Sequence, residues 1–164
     1  GSHPMAGSDK AGMGHARSDL FENRPCFITP ESGTQPSLIQ TLSSFWQKLG
    51  MTVTTATASE HDEIVAHVSH LPHAVASAVC HLLAQRSHEW SNLIGQGLRD
   101  TTRVAAGDPA LWEEIFGQNR EALLEALEAF EKTCGQLREA LAEGRGDDIR
   151  NWLATGKEYR EGLN

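Results

Sequence analysis

The sequence predicts a mainly α-helical protein that begins with a short strand–helix–strand unit. Strand-like runs occur at residues 26–29 and 51–57, where β-branched and aromatic side chains are concentrated. From residue 59 onward apolar residues recur at helical spacing, and no strand pattern returns. The length of 164 residues alone predicts about one domain.

Charge and cysteine content narrow the function classes. The chain has 14 Lys and Arg against 22 Asp and Glu, and this net charge of -8 disfavours binding to nucleic acids or anionic membranes. Cys26, Cys80 and Cys134 lie far apart without a CxxC pair, which favours buried free thiols. The first 30 residues contain no apolar run typical of a signal peptide. We therefore expect a cytoplasmic location.

The first third of the chain resembles the end of a larger sheet. Residues 1–24 are rich in glycine and predict a loop. Pro36 and Gly50 are typical of the two ends of a helix that joins the two strands, which predicts parallel pairing. Two parallel strands are marginal alone, so further strands are expected. The start at Gly1 without a methionine indicates either a cloning remnant or a fragment.

Helix signals follow. Thr57 and Glu60 form a candidate capping box, and residues 64–85 are 22 positions without a charged side chain. This segment carries too many polar groups for a lipid bilayer and predicts a helix pair buried within protein. Pro72 should split it near Leu71.

The remaining helices have clear starts. Asp108 and Pro109 are typical of an N-cap followed by a first helical residue. A long helix is predicted over residues 120–143 and a last one over 147–163. The long helix carries a stripe that fits either an intramolecular core or a dimer seam, formed by Leu123, Leu127, Phe130, Cys134, Leu137 and Leu141.

Histidine and arginine are the candidate functional groups. His67, His70 and His73 are spaced by three and could line a metal site, a buried helix contact, or a pocket for an anionic substrate. The His61–Asp62 doublet is also typical of metal-dependent hydrolases. Arg99 and Arg103 would share one face of a helix and, if partly buried, could bind carboxylates. Together the histidines and the arginines favour an anionic ligand.

Three segments in order resemble the prephenate/arogenate dehydrogenases of tyrosine biosynthesis. They are GSHPMAGSDK at 1–10, HDEIVAHVSHLPHA at 61–74, and GLRDTTR at 97–103, the last followed by the Asp-Pro pair at 108–109 and by Trp112. The resemblance covers essentially the whole chain. It implies an NAD(P)-dependent oxidative decarboxylation of prephenate or arogenate, two substrates between which the sequence does not choose.

The resemblance also implies roles for residues. His3 matches the family's catalytic histidine, the general base for the ring hydroxyl. Arg103 matches the arginine that pairs with the substrate's side-chain carboxylate, and His73 matches a substrate-site histidine. Three further residues are assigned to the substrate site: Ser2, Asp9 and Arg99. No metal is implied, because the cofactor takes the electrons.

The implied architecture has two parts. Residues 1–57 would be the C-terminal remnant of a Rossmann-type nucleotide-binding α/β domain, and residues 58–164 a helical dimerisation and substrate-binding domain that forms homodimers through its long C-terminal helices. The main NAD or NADP site would lie upstream, so we expect the isolated chain to bind no cofactor and to be inactive. The alternatives are a non-catalytic dimerisation module and a His-based metal-dependent hydrolase.

Overall fold

A three-stranded sheet forms the start of the protein in the computed structural model, which describes residues 1–7 and 12–163. Its strands are β1 (Ser2–Pro4), β2 (Pro25–Ile28) and β3 (Thr52–Thr55), in the order β1-β2-β3. β2 and β3 are parallel and joined by helix α1 (Pro36–Lys48), which confirms the predicted strand–helix–strand unit. Gly50 follows α1 with φ 88°, a left-handed conformation that glycine adopts without strain.

Strand β1 corrects the expectation of a loop over residues 1–24. It pairs antiparallel with β2 and places His3 opposite Phe27. Two further backbone bonds flank the pair: Met5 N–H donates to Pro25 O over 2.8 Å, and Thr29 N–H donates to Gly1 O over 3.0 Å. A three-residue segment that contains proline is too short to show a strand pattern in the sequence. β1 forms because β2 supplies its hydrogen-bond partners.

Helices make up the rest of the protein, as predicted. Within the described residues the helices after α1 are α2 (Ala58–Val65), α3 (Leu71–Ala84), α4 (Gln96–Thr102), α5 (Pro109–Gln118), α6 (Arg120–Ala142) and α7 (Gly146–Glu161). None of the helices in residues 1–7 and 12–163 has the length and apolar character required to cross a membrane.

The start of α2 and its junction with α3 follow from local sequence. Glu60 N–H donates to Thr57 Oγ1 over 3.2 Å and Thr57 N–H donates to Glu60 Oε2 over 2.8 Å, so the predicted capping box is present. α2 continues into a single π-helical turn, Ala66–His70, and α3 begins at Leu71. Pro72 lacks an N–H group and cannot extend a regular α-helix across this point. The wider π turn accommodates it.

Burial differs from the sequence expectation in two respects. Among residues 64–85, Val65, Ala66, His70, His73 and Ala76 are buried, but Val68 and Leu82 are 58% and 53% exposed. The rest of this chain therefore covers only one face of the expected helix pair. Cys26 is buried as expected, whereas Cys80 and Cys134 are exposed, because they lie on uncovered faces of α3 and α6.

The apolar stripe of α6 is covered at its beginning and bare at its end. Leu123 is buried, near the contacts of α6 with α2 and the π turn, but Leu141 is 59% exposed. Trp152 of α7 covers part of the middle, where its Nε1–H donates to Thr133 O over 3.2 Å. An intramolecular core thus accounts for the first part of the stripe and leaves the last part open.

Candidate active site

His3, His61 and Asp62 are joined by two polar contacts at the edge of the sheet and form a three-residue contact chain. His3 Nδ1 lies 2.8 Å from His61 Nε2, and His61 Nδ1 lies 2.8 Å from Asp62 Oδ1. The capping box fixes the first turn of α2 after β3 and so brings His61 beside β1. Phe27 contacts the His61 ring edge-on, with ring centroids 5.3 Å apart. His61 therefore has a contact at each ring nitrogen and an aromatic contact with Phe27.

Asn119 connects the contact chain of His3, His61 and Asp62 to a second pair of histidines, His70 and His73. Its Nδ2 donates to Asp62 O over 2.8 Å and lies 3.2 Å from His70 Nδ1. An amide carries two N–H donors, so both contacts can be made at once when His70 Nδ1 is unprotonated. Asn119 lies between α5 and α6, and it connects the end of α5 to α2 and the π turn.

His73 lies in an aromatic cluster next to His70. Its ring stacks on Trp112, and Phe116 meets both rings edge-on at centroid distances of 6.1 and 5.6 Å. His73 Nδ1 is buried and has no hydrogen-bond partner in the described structure. A buried imidazole nitrogen without a partner is uncommon in proteins.

Desolvation lowers the pKa of three of these histidines, of which His70 and His73 are buried and His3 is exposed. Desolvation is the largest cause that lowers the pKa of His3, and the neighbouring His61 lowers it further. Desolvation also lowers the pKa of His70 and of His73. In the case of His70 the nearby His3 and His61 add to the effect, while Asp62 opposes it. At neutral pH these imidazoles are neutral, and each keeps one lone pair that can accept a proton or a hydrogen bond.

The turn that begins at Arg103 lies next to the histidine cluster. It is the 3₁₀ turn Arg103–Ala106, which packs on α3 and ends beside Gly107. A Cβ at Gly107 would lie 3.1 Å from His73 Cε1, so this turn is in direct contact with the cluster. Arg103 is exposed, contrary to the partial burial expected from its apolar neighbours.

The other predicted site residues are more dispersed. Ser2 lies in β1, next to His3 and opposite Ile28. Arg99 is exposed on α4 and lines a separate cavity of about 760 Å³ with Cys80, Trp90 and Leu98. α4 ends at Thr102, so Arg99 and Arg103 do not share one α-helix as expected. Asp9 lies outside the residues that the structure describes.

Sequence reasoning did not place His61, Asn119 or Gly107 in the site. His61 and Asp62 fitted a metal-hydrolase pattern instead, yet no group of three metal-ligating side chains occurs among residues 1–7 and 12–163. One signal could have identified His61: it lies in the helix turn that follows the carboxyl end of a parallel strand, the usual position of ligand sites in open α/β sheets. Asn119 and Gly107 carry no comparable signal.

The described residues offer no cradle for a dinucleotide pyrophosphate. Such a cradle requires a glycine-rich turn between a strand and the following helix. The connection between β2 and α1 contains one glycine, Gly33, and the connection between β3 and α2 contains none. We therefore assign none of these residues to cofactor phosphates.

Two family models match this chain consecutively. The model "Prephenate dehydrogenase, nucleotide-binding domain" matches residues 1–55. The model "Prephenate dehydrogenase, dimerization domain" matches residues 57–155.

Curated proteins and solved structures give consistent similarities. The chain is 33% identical to cyclohexadienyl dehydrogenase of Zymomonas mobilis, over 99% of this chain and 57% of that protein. It is 29% identical to prephenate dehydrogenase of Bacillus subtilis, over 99% of this chain and 45% of that protein. Its structure resembles that of Aquifex aeolicus prephenate dehydrogenase in complex with hydroxyphenyl propionate and NAD⁺, with TM-score 0.92, 31% identity and coverage of 99% and 58%. Synechocystis arogenate dehydrogenase gives TM-score 0.89, 30% identity and coverage of 99% and 60%.

Proposed function

Because this chain belongs to the prephenate dehydrogenase family, we propose that it supplies the substrate-binding and dimerisation part of an NAD(P)-dependent prephenate or arogenate dehydrogenase. The chain spans about half the length of the curated relatives it matches. The observation that carries the proposal is the position of His3: a histidine with a lowered pKa at the sheet edge, linked to His61.

The proposed reaction oxidises a ring carbon that bears a hydroxyl group and releases the ring carboxylate as CO₂, which leaves an aromatic ring. The bound nicotinamide supplies the hydride acceptor. His3 removes the hydroxyl proton, so the C–O bond becomes a carbonyl as the hydride leaves. A histidine that is neutral at pH 7 is suited to this work as a general base.

Binding of a dianionic substrate is assigned to the other side of the cluster. Arg103 can hold the side-chain carboxylate by two parallel hydrogen bonds, since its guanidinium is exposed and planar. We assign His73 to the same site, where its stack on Trp112 lies beside the turn that carries Arg103. We also propose Ser2, Asp9 and Arg99 as members of this site, on the basis of the family resemblance.

The protein also presents a large uncovered surface, which supports homodimerisation through α6 and α7. It exposes 12509 Å², whereas a compact protein of this size exposes roughly 8,000 Å². The excess of roughly 4,500 Å² on one chain is larger than the roughly 1,000–2,500 Å² that each partner of an obligate dimer buries, so it leaves room for such an interface. Large apolar side chains are bare on both helices: Leu124, Leu141 and Leu153. A second copy of the chain would cover them.

We retain the proposed division into a nucleotide-binding remnant over residues 1–57 and a helical domain over 58–164. The change from sheet to helices after β3 supports it. We also propose a cytoplasmic location, because Cys26, Cys80 and Cys134 are all free thiols.

The test is turnover by a full-length enzyme that carries these 164 residues, measured as the absorbance of reduced cofactor with prephenate or arogenate. We expect His3→Asn to lower kcat by about 10²–10⁴-fold, while His81→Asn on the exposed side of α3 leaves kcat unchanged. Wild-type kcat in His3→Asn would refute the assignment of the base. No turnover with either substrate, in a dimer that binds cofactor, would favour a non-catalytic module.

The isolated chain gives a second check. Because its β2–α1 and β3–α2 connections are not glycine-rich, it should give no heat of binding when titrated calorimetrically with NAD⁺ or NADP⁺. Micromolar binding would contradict this expectation.

A further inference from the structure

The three-residue contact chain has a defined direction, because a carboxylate can only accept hydrogen bonds. Asp62 Oδ1 lies 2.8 Å from His61 Nδ1, so Nδ1 of His61 must carry the proton. In a neutral imidazole the other nitrogen then has the lone pair. In neutral His61, Nε2 is then the acceptor, and the nitrogen 2.8 Å away, His3 Nδ1, is the donor.

We propose that Asp62 and His61 are positioning residues that hold His3 in the tautomer with its proton on Nδ1 and its lone pair on Nε2. The nitrogen that receives the substrate proton is thereby Nε2, which has the form required of a base before substrate arrives. This inference rests on the proposed role of His3 in the reaction. Neither Asp62 nor His61 is required to touch the substrate.

Neighbouring residues hold the three-residue contact chain in place. His61 is the best-buried member, with 17% of its side chain exposed, and Phe27 packs against its ring. Asp62 is anchored through its backbone, because Asn119 Nδ2 donates to Asp62 O. The capping box fixes the helix turn that carries both residues. Rotation of the His61 ring would break contacts at both of its nitrogens.

The opposite tautomers of His61 and His3 would prevent His3 from acting as a base. If His61 carried its proton on Nε2, it would donate to His3 Nδ1. His3 would then hold its own proton on Nε2, where a substrate hydroxyl could not transfer another. Asp62→Asn creates this possibility, since an amide N–H can donate to His61 Nδ1 and reverse both histidines.

The direct test is the protonation state of the His3 ring nitrogens in the 164-residue chain, observed by ¹⁵N NMR through long-range couplings to the ring protons. We expect the wild type to show a protonated Nδ1 and an unprotonated Nε2 at pH 7.5. Asp62→Asn should shift the population toward a protonated Nε2. The matched control is Glu63→Gln, which removes one carboxylate at the next position and should leave the tautomer unchanged.

A second pair of variants guards against misfolding. His61→Gln keeps an acceptor opposite His3 Nδ1 and should retain the wild-type tautomer, whereas His61→Ala should yield a mixture. A protonated Nε2 in the wild type, or an unchanged His3 tautomer in a folded Asp62→Asn chain, would overturn the proposal.

Kinetics separate this proposal from the proposed function. In a full-length enzyme, Asp62→Asn should lower kcat by at least about tenfold and by no more than the 10²–10⁴-fold of general base catalysis, with KM unchanged. If His3→Asn leaves kcat unchanged although Asp62→Asn reverses the His3 tautomer, the positioning of His3 by Asp62 and His61 is supported but the catalytic role of His3 is wrong. If Asp62→Asn reverses the tautomer without lowering kcat, the positioning role is wrong.

Discussion

The imidazole of His73 lies face to face on the indole of Trp112, with ring centroids 3.5 Å apart and ring planes inclined by 13°. Gly107 closes the edge of this stack. A Cβ there would lie 2.5 Å from Trp112 Nε1 and 2.9 Å from Trp112 Cδ1. The turn that carries Arg103 can approach Trp112 of α5 this closely only because residue 107 has no side chain.

Gly107→Ala should therefore disturb the stack. The added methyl group must displace Trp112 or the turn, and overpacking of this kind costs about 1–3 kcal/mol. Urea denaturation followed by circular dichroism measures the loss. Gly156→Ala in α7 is the control, because a Cβ there meets nothing within 4 Å and alanine favours a helix interior. Equal stability of the two variants would contradict the steric argument.

Acidification should destabilise the protein through His73. Desolvation lowers its pKa in the folded state, so the unfolded chain binds more protons once the pH falls toward 6.5. The contribution of neutral His73 is fully present above that pH and is lost as the pH falls to the lowered value. Urea denaturation at pH 7.5 and 5.5 should show the decrease in free energy of unfolding.

Replacement of the titrating ring isolates this effect. His73→Phe keeps an aromatic ring against Trp112, leaves no polar atom buried, and should give a smaller difference between the two pH values. His81→Phe, on the exposed side of the same helix, should keep the wild-type difference. A wild-type pH dependence in His73→Phe would show that His73 is not its source.

Arg103→Ala should act mainly on substrate binding. Hydrogen bonds to charged groups contribute about 1.5–3 kcal/mol, which corresponds to an increase in KM of about 10–100-fold with a smaller change in kcat. Steady-state kinetics of a full-length enzyme measure both constants. Arg150→Ala, an exposed arginine of α7 paired with Asp147, is the control and should leave KM unchanged. An unaltered KM in Arg103→Ala would remove Arg103 from the site.

Dimerisation should depend on the bare end of the α6 stripe. Leu141→Glu places a charge on a leucine that is 59% exposed in the single chain and, in our proposal, covered by a second copy. We expect the dimer dissociation constant from sedimentation velocity to rise by at least about tenfold, the equivalent of 1.4 kcal/mol. Gln136→Glu adds the same charge at a polar position of α6 and should have little effect. A wild-type chain that sediments as a monomer would refute the proposal.

The sequence predicted those parts of the fold that depend on local signals. The capping box at Thr57, the N-cap at Asp108 and the left-handed Gly50 all have a chemistry confined to a few residues, and each occurs as expected. β1 was missed because its stability comes from pairing with β2 across about 20 intervening residues. Local propensity contains no information on such a partner.

The same distinction applies to the site. A resemblance to a known family pointed to His3, His73 and Arg103, whose roles remain proposals. The contact of His3 with His61 joins residues 58 positions apart and depends on the packing of α2 beside β1. Burial was overestimated for Cys80, because helical periodicity shows which face is apolar but not whether this chain covers it.

The π turn between α2 and α3 sets the angular register of the two groups of histidines. One residue of α-helix advances the side-chain direction by about 100°, so removal of a single residue from Ala66–His70 would rotate His70 and His73 by that amount relative to His61. Asn119 could then no longer contact both Asp62 and His70. The number of residues between His61 and His70 is therefore constrained. We expect this π turn to tolerate a substitution more readily than a deletion.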